Sequence, residues 1–160
     1  MRIGLGEDTH RLTGDGPLRL GGVDIPHDRQ TVGHSDADVL LHAVTDALLG
    51  AAGLPDIGQM FPNTSEENRG RDSAEMLRLA YEQVTKTGYH VVNLDCVVAA
   101  EQPKLAPHKE KIKQRIAEIL SLTTDQVNVK AKTGEGVGPV GEQLTIEARC
   151  VALLETQTQT

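Results

Sequence analysis

Asp8-Thr9-His10 near the start of the chain, and His42 further on, have the types and spacing that could do chemistry. In an extended segment side chains two residues apart leave on the same side, so Asp8 and His10 can reach one ion together. With His42 they make two imidazoles and a carboxylate. That is the ligand number a catalytic zinc uses when its fourth position stays open for substrate. Iron-dependent oxygenases use the same ligand types, a second reading that metal analysis separates. His34 and Ser35 stand just before an expected helix start, where free backbone N–H groups and a hydroxyl form an anion-binding corner. A surface-loop histidine and a plain N-cap serine are the bland readings of the same two residues.

A second anion-type segment is Lys130-Ala131-Lys132-Thr133-Gly134-Glu135-Gly136-Val137-Gly138, with lysines, a hydroxyl and glycines that let backbone approach a ligand. It is not a P-loop, because the lysine and threonine precede the glycines and a strand follows; alone it reads as a hairpin loop. Glu135 is either a magnesium ligand shared with phosphates or a solvated acid. Leu54-Pro55-Asp56-Ile57-Gly58 reads as a turn.

These residues need elements to position them. Residues 1–6 and 17–21 read as a hairpin or strand pair. Ser35-x-x-Asp38 looks like a capping box for a helix over 36–52, with Leu40, Val44, Ala47, Leu48 and Ala51 at helical spacing and Gly53 as the stop. His42 lies off that stripe, with Asp38 and Asp46 four residues to either side as candidate acceptors for its ring. Further helices are expected over 72–87, ended by Gly88, and from Pro107 to Leu120. Strands are expected over 90–100, 127–132 and 144–154, and 156–160 reads as a frayed tail. The order gives a single-domain α+β fold over 1–160, a mixed sheet with helices packed on one face.

With 160 residues, 38% of them hydrophobic, the chain suits one domain of ordinary composition. Phe61, Tyr81 and Tyr89 are its only aromatics, so the core must be built from Leu, Val, Ile and Ala, and a base-stacking surface is not expected. A net charge of −7 argues against a nucleic-acid partner. Cys96 and Cys150 sit in apolar runs and read as buried free thiols. No leader-like segment opens the sequence and no apolar run reaches membrane-spanning length, so a cytoplasmic protein without membrane contact is expected.

Taken together the blocks Gly6-Glu7-Asp8-Thr9-His10-Arg11-Leu12, His34-Ser35-Asp36-Ala37-Asp38 through His42 to Gly50, Asp56-Ile57-Gly58, Phe61-Pro62, Gln102-Pro103-Lys104 with Pro107-His108, and Asn128 to Thr133 resemble the 2-C-methyl-D-erythritol 2,4-cyclodiphosphate synthases of the non-mevalonate isoprenoid pathway. The resemblance covers nearly the whole chain. It implies zinc on Asp8, His10 and His42, where the metal and its ligands hold a substrate diphosphate. It assigns His34 and Thr133 to transition-state stabilisation, places Ser35 at the phosphates, and gives Glu135 to a second metal, magnesium or manganese. Ala100, Glu101, Gln102, Pro103, Lys104, Leu105 and Ala106 match a cytosine pocket. Asp56, Ile57 and Gly58 match positions near the ribose and methylerythritol. Phe61, Pro62, Asn63, Thr64 and Ser65 match a mobile substrate-contacting loop, and Ala131, Lys132, Thr133, Gly134 and Glu135 a phosphate-side loop.

The implied reaction is intramolecular attack of a 2-phosphate on a β-phosphate with release of CMP, in a homotrimer whose active sites lie between subunits. A metal- and cytidine-binding protein without turnover is the alternative, although the intact site residues speak against it. Four positions depart from the family pattern. Ala37 stands where many relatives have Gly, Asn63 and Ser65 replace frequent aspartates, and Glu142 replaces an arginine on the trimer axis, from which no isoprenoid diphosphate is expected in the central cavity.

Overall fold

Strand β1 (Arg2–Gly14) alternates from Ile3 to Thr13: Gly4, Gly6 and Leu12 are buried on one side, while Ile3 and Leu5 are exposed on the other. Asp8 and His10 continue the covered side, as the two-residue period requires. The computed structural model describes residues 1–156. β1 pairs antiparallel with β4 (Arg29–Val32) and along its length with β7 (Thr145–Thr156). β7 pairs antiparallel with β5 (Tyr89–Ala99), and β5 runs parallel to β6 (Val127–Lys132). The result is a mixed sheet of order β4-β1-β7-β5-β6. The expected pairing of 1–6 with 17–21 is not formed. Instead β2 (Leu18–Leu20) folds onto β3 (Val23–Ile25) as a separate hairpin, because the Gly21-Gly22 turn, both residues at positive φ, closes on its immediate neighbour.

Helix α1 (Val39–Ala52) lies against β1 and β7. The approach is close enough that a Cβ on Gly4 would sit 1.9 Å from the Ala47 carbonyl oxygen, and one on Gly6 2.0 Å from that of Ala43. Glycines on the strand and the Ala43, Ala47, Ala51 row on the helix are what let the two backbones meet. The single turn α2 (Ile57–Met60) follows; α3 (Ser73–Lys86) packs on α1, and α4 (Lys109–Leu120) covers β6. A further single turn, α5 (Gly138–Gly141), precedes β7.

The helix starts differ from expectation. Ala37 has φ +58°, a left-handed residue that no helix passes through, so α1 begins after it with Asp38 as N-cap, and Ser35 forms no capping box. Residues 106–108 form a 3-10 turn, so α4 starts at Lys109 rather than at Pro107. Thr156 ends β7 opposite Tyr89 and is no part of a frayed tail, while 157–160 lie outside the described residues.

The core is built from Leu, Ile, Val and Ala, with Leu40, Leu48, Leu77, Leu94, Ile112, Ile116 and Leu154 fully or almost fully buried. Each such Leu or Ile contributes roughly 1.5–3 kcal/mol by burial. Cys96 and Cys150 are free, buried and directly opposite each other on β5 and β7. Helices α1, α3 and α4 share one core with the buried face of the sheet; on the other face Ile3 is 73% exposed, Leu5 63% and Val151 45%. No described helix is long and apolar enough to cross a membrane.

Candidate active site

Asp8 Oδ2 lies 3.0 Å from His10 Nε2 and 3.0 Å from His42 Nδ1, and those two nitrogens are 3.1 Å apart. The second nitrogen of each ring has its own partner. His10 Nδ1–H donates to the Val32 carbonyl at 3.0 Å, and His42 Nε2 lies 2.9 Å from Ser73 Oγ and 3.0 Å from Ser35 Oγ. With those nitrogens occupied as donors, His10 Nε2 and His42 Nδ1 are the atoms whose lone pairs a cation at Asp8 would take. A tetrahedral zinc with bonds of ~2.0–2.1 Å holds its ligands about 3.3–3.4 Å apart, so the three atoms need open by only a few tenths of an ångström to admit one.

Burial pushes the Asp8 carboxyl up, but hydrogen bonds and charge from His10 and His42 outweigh it and hold the group well below the usual carboxylate range. Burial pulls His10 down, and its hydrogen bond to Asp8 more than compensates, leaving it raised. A carboxylate kept ionised beside two imidazoles is a donor set prepared for a divalent cation. Local sequence explains the arrangement. The β period puts Asp8 and His10 together, the Gly6–Ala43 approach brings α1 within reach, and Gly33 clears space, since a Cβ there would lie 3.1 Å from His10 Cε1.

The expected acceptors for the His42 ring are not Asp38 or Asp46. Asp38 is fully buried and takes N–H groups of Gly21, Gly22 and Leu41 at 2.6–3.0 Å, locking the β2–β3 turn to the start of α1. Asp46 accepts Ile57 N–H at 2.7 Å, fastening α2 to α1, and burial raises its pKa. In their place stand Ser35 and Ser73.

A cavity of ≈ 210 Å³ opens beside the triad, lined by His10, His34, Ser35, His42, Ile57, Gly58, Phe61 and Asn63, together with Asn68 and Met76. His34 Nε2–H donates to the Ser65 carbonyl at 3.1 Å, tying the 61–65 loop to the anion corner. Asn68 Nδ2–H donates to the Pro62 carbonyl at 2.9 Å, and the Arg71 guanidinium stacks 5.1 Å from the Phe61 ring centre. Pro62 and Thr64 are exposed on that loop and do not line the cavity. Asp56 caps α2, where hydrogen bonds from the Gln59 side chain and backbone lower its pKa. A larger apolar cleft between Leu49, Leu54, Pro55, Met60 and Gln83 has no titratable lining group.

Thr133, Glu135 and residues 100–106 form a separate cluster where β5 and β6 end. Ala100 N–H donates to the Lys132 carbonyl at 2.9 Å, Gly134 N–H to Glu101 Oε2 at 3.0 Å, and Thr133 Oγ1–H to Glu135 Oε1 at 2.8 Å. Asp8, Ala148, Val98 and Ala131 stand in one cross-strand row. Three strand spacings therefore separate the clusters, about 14 Å. Within one chain the triad thus meets His34, Ser35, Ile57, Gly58, Phe61 and Asn63, but not the second cluster. Ser73, Asn68 and Met76 are site residues that sequence reasoning missed. Ser73 follows the N-cap Asp72 and looks like an ordinary helix start; nothing local points to a histidine on another helix.

The likeness to known proteins is extensive. The chain is 54% identical over 154 residues to a 2-C-methyl-D-erythritol 2,4-cyclodiphosphate synthase of Rhodopirellula baltica, covering 96% of this chain and 93% of the relative. It superposes with a TM-score of 0.86 on the IspF of Plasmodium falciparum in a CDP complex, at 36% identity over 98% of this chain and 97% of that one. On the bifunctional IspDF of Campylobacter jejuni the TM-score is 0.94 at 38% identity, covering 97% of this chain but 42% of that longer one. The model of the YgbB family matches residues 1–155, and the chain belongs to that family.

Proposed function

We propose that this chain converts 4-diphosphocytidyl-2-C-methyl-D-erythritol 2-phosphate to 2-C-methyl-D-erythritol 2,4-cyclodiphosphate with release of CMP, as a metal-dependent phosphorus–oxygen lyase of the cytoplasm. The observation that carries this is the Asp8, His10 and His42 triad at the edge of a cavity that its two histidines line together with His34 and Ser35. An oxygen of the 2-phosphate bonds to the β-phosphorus as the bond from that phosphorus to the CMP oxygen breaks. No protein nucleophile is required. Holding the two phosphates in near-attack geometry is worth on the order of 7–11 kcal/mol for an intramolecular reaction.

Zinc on Asp8, His10 and His42, and magnesium or manganese at Glu135, would supply charge that offsets phosphate repulsion. Ser35 Oγ already accepts Ala37 N–H at 3.2 Å and faces His42 Nε2–H, so its own hydrogen is free to donate to a phosphate oxygen. His34 adds a donor at the same corner once its bond to Ser65 yields. Thr133, oriented by Glu135, serves the side where charge develops on the departing CMP. Backbone groups of 100–106 read the cytosine, Lys132 and Gly134 face the phosphates, and Asp56 and Gly58 hold the sugar and methylerythritol.

The two clusters are joined in a homotrimer, each site taking the metal triad of one chain and the cytidine loop of the next. Supporting this are the ~14 Å separation of the clusters and the uncovered sheet face bearing Ile3, Leu5 and Val151. Incubation with the substrate, following CMP and cyclic diphosphate with and without chelator, tests the reading. Asp8→Ala and His42→Ala are expected to lose metal and CMP release together. CMP release at the parent rate from metal-free Asp8→Ala would refute it.

A further inference from the structure

We propose that Ser73 and Asp36 are positioning residues that fix the tautomer of His42 and so make it a metal ligand; the inference rests on the metal reading of Asp8, His10 and His42. Ser73 Oγ lies 2.9 Å from His42 Nε2 and donates a hydrogen bond to Asp36 Oδ1. The assignment of protons follows from what each group can do. An ionised carboxylate only accepts, so the Ser73 hydroxyl hydrogen goes to Asp36. The Ser73 oxygen then meets His42 only as an acceptor, so Nε2 carries a ring hydrogen and Nδ1, 3.0 Å from Asp8 Oδ2, is the nitrogen left to give its lone pair to a metal.

Asp36 is itself held in place. Its Oδ2 accepts Ser73 N–H at 3.2 Å and lies 3.8 Å from Arg19 Nε, and its Oδ1 receives Asp38 N–H at 3.3 Å. Ser73 is fully buried and sits at the first position of α3, while Asp36 precedes α1. The chain Nε2–H, Oγ–H, Oδ1 thus carries orientation to the His42 ring from α3 and from the loop that precedes α1.

Ser35 shows why the relay is needed. Its hydroxyl is 3.0 Å from the same Nε2 and has no carboxylate to fix its hydrogen. Without Ser73, Ser35 can donate to Nε2, which moves the ring hydrogen to Nδ1. That hydrogen would bond Asp8 and leave no lone pair for a metal. Loss of such a supporting contact typically weakens metal binding by about 10–100-fold.

The test uses Ser73→Ala and Asp36→Ala, with Asp72→Ala as control, since Asp72 caps the same helix without touching His42. Zinc affinity is measured by competition with a chromophoric chelator, and the His42 ring nitrogens are followed by 15N NMR in metal-free protein. Expected are a tenfold or greater loss of zinc affinity in both variants and conversion of His42 from the Nε2–H to the Nδ1–H form in Ser73→Ala, with neither change in Asp72→Ala. Unchanged affinity and ring shifts in Ser73→Ala, or equal losses in Asp72→Ala, would overturn the proposal. A parent chain that takes up no zinc at all would overturn the metal reading as well.

Discussion

Replacing Gly6 by alanine separates packing from ligation, because the new methyl meets backbone rather than a side chain that can turn away. Its Cβ would stand 2.0 Å from the Ala43 carbonyl oxygen and 2.5 Å from Ala47 N, whereas real Cβ contacts essentially never fall under 3.0 Å. Helix α1 must therefore recede by about 1 Å. His42 directly precedes Ala43, so its ring moves with that carbonyl, and the 3.0 Å separation of Nδ1 from Asp8 opens to about 4 Å, beyond the ~3.3–3.4 Å that one tetrahedral zinc spans. Overpacking of this kind costs about 1–3 kcal/mol of stability. Zinc affinity should fall by more than about 100-fold, exceeding the usual loss of a supporting contact because a ligand itself is displaced. Chelator competition and thermal unfolding of the metal-free protein measure the two effects separately. A methyl added to Gly50, in the same helix, would meet nothing within 4 Å, so Gly50→Ala is the control; it should gain up to about 1 kcal/mol. A folded Gly6→Ala protein with zinc affinity within about threefold of the parent would refute the argument that helix approach sets the ligand geometry.

Leu5→Asp places a charge on the uncovered sheet face without entering the core, and should reduce the sedimenting mass from that of the proposed trimer to that of a monomer while leaving the fold by circular dichroism; an unchanged mass would remove that face from the interface. Asp38→Asn keeps size but turns an amide toward three backbone N–H donors, and should cost about 2–4 kcal/mol in urea unfolding as acceptors are lost in a buried site. In metal-free protein the lowered Asp8 pKa contributes stability above its unfolded value of ~3.9 that is lost as pH falls through the folded value, and the raised His10 pKa contributes below ~6.5 and is lost as pH rises through its folded value. The urea midpoint should therefore be highest between about pH 4 and 6.5, and Asp8→Asn should flatten that dependence; an identical profile in the variant would show the triad pair contributes nothing.

What could be read from sequence was local. The Asp8-Thr9-His10 alternation needed only the strand period, and the Leu40 to Ala51 stripe needed only the helical one, so both stand in the structure where expected. Errors arose where a side chain answered to something distant in sequence. Asp38 looked like a polar-side neighbour of His42, yet it is fully buried because the Gly21-Gly22 turn presents N–H groups that no spacing rule connects to it. Proximity along the chain favoured pairing strand 1–6 with its nearest apolar neighbour, but its long edge matches β7, at the far end of the chain, residue for residue from Arg2 to Arg11.

Ser73 marks the limit most clearly. Capping chemistry explains a serine after Asp72 so completely that the sequence offers no reason to seek another role. Only the packing of α3 on α1 brings its hydroxyl to a histidine 31 residues away. The metal ligands themselves were legible because ion binding demands particular side-chain types. The group that orients a ligand need only offer one oxygen at one place, and serine, a common residue that does so, carries no signature of the task. Sites of this kind are therefore read in two stages: ligands from residue type and period, their supports from the hydrogen each ring nitrogen must hold.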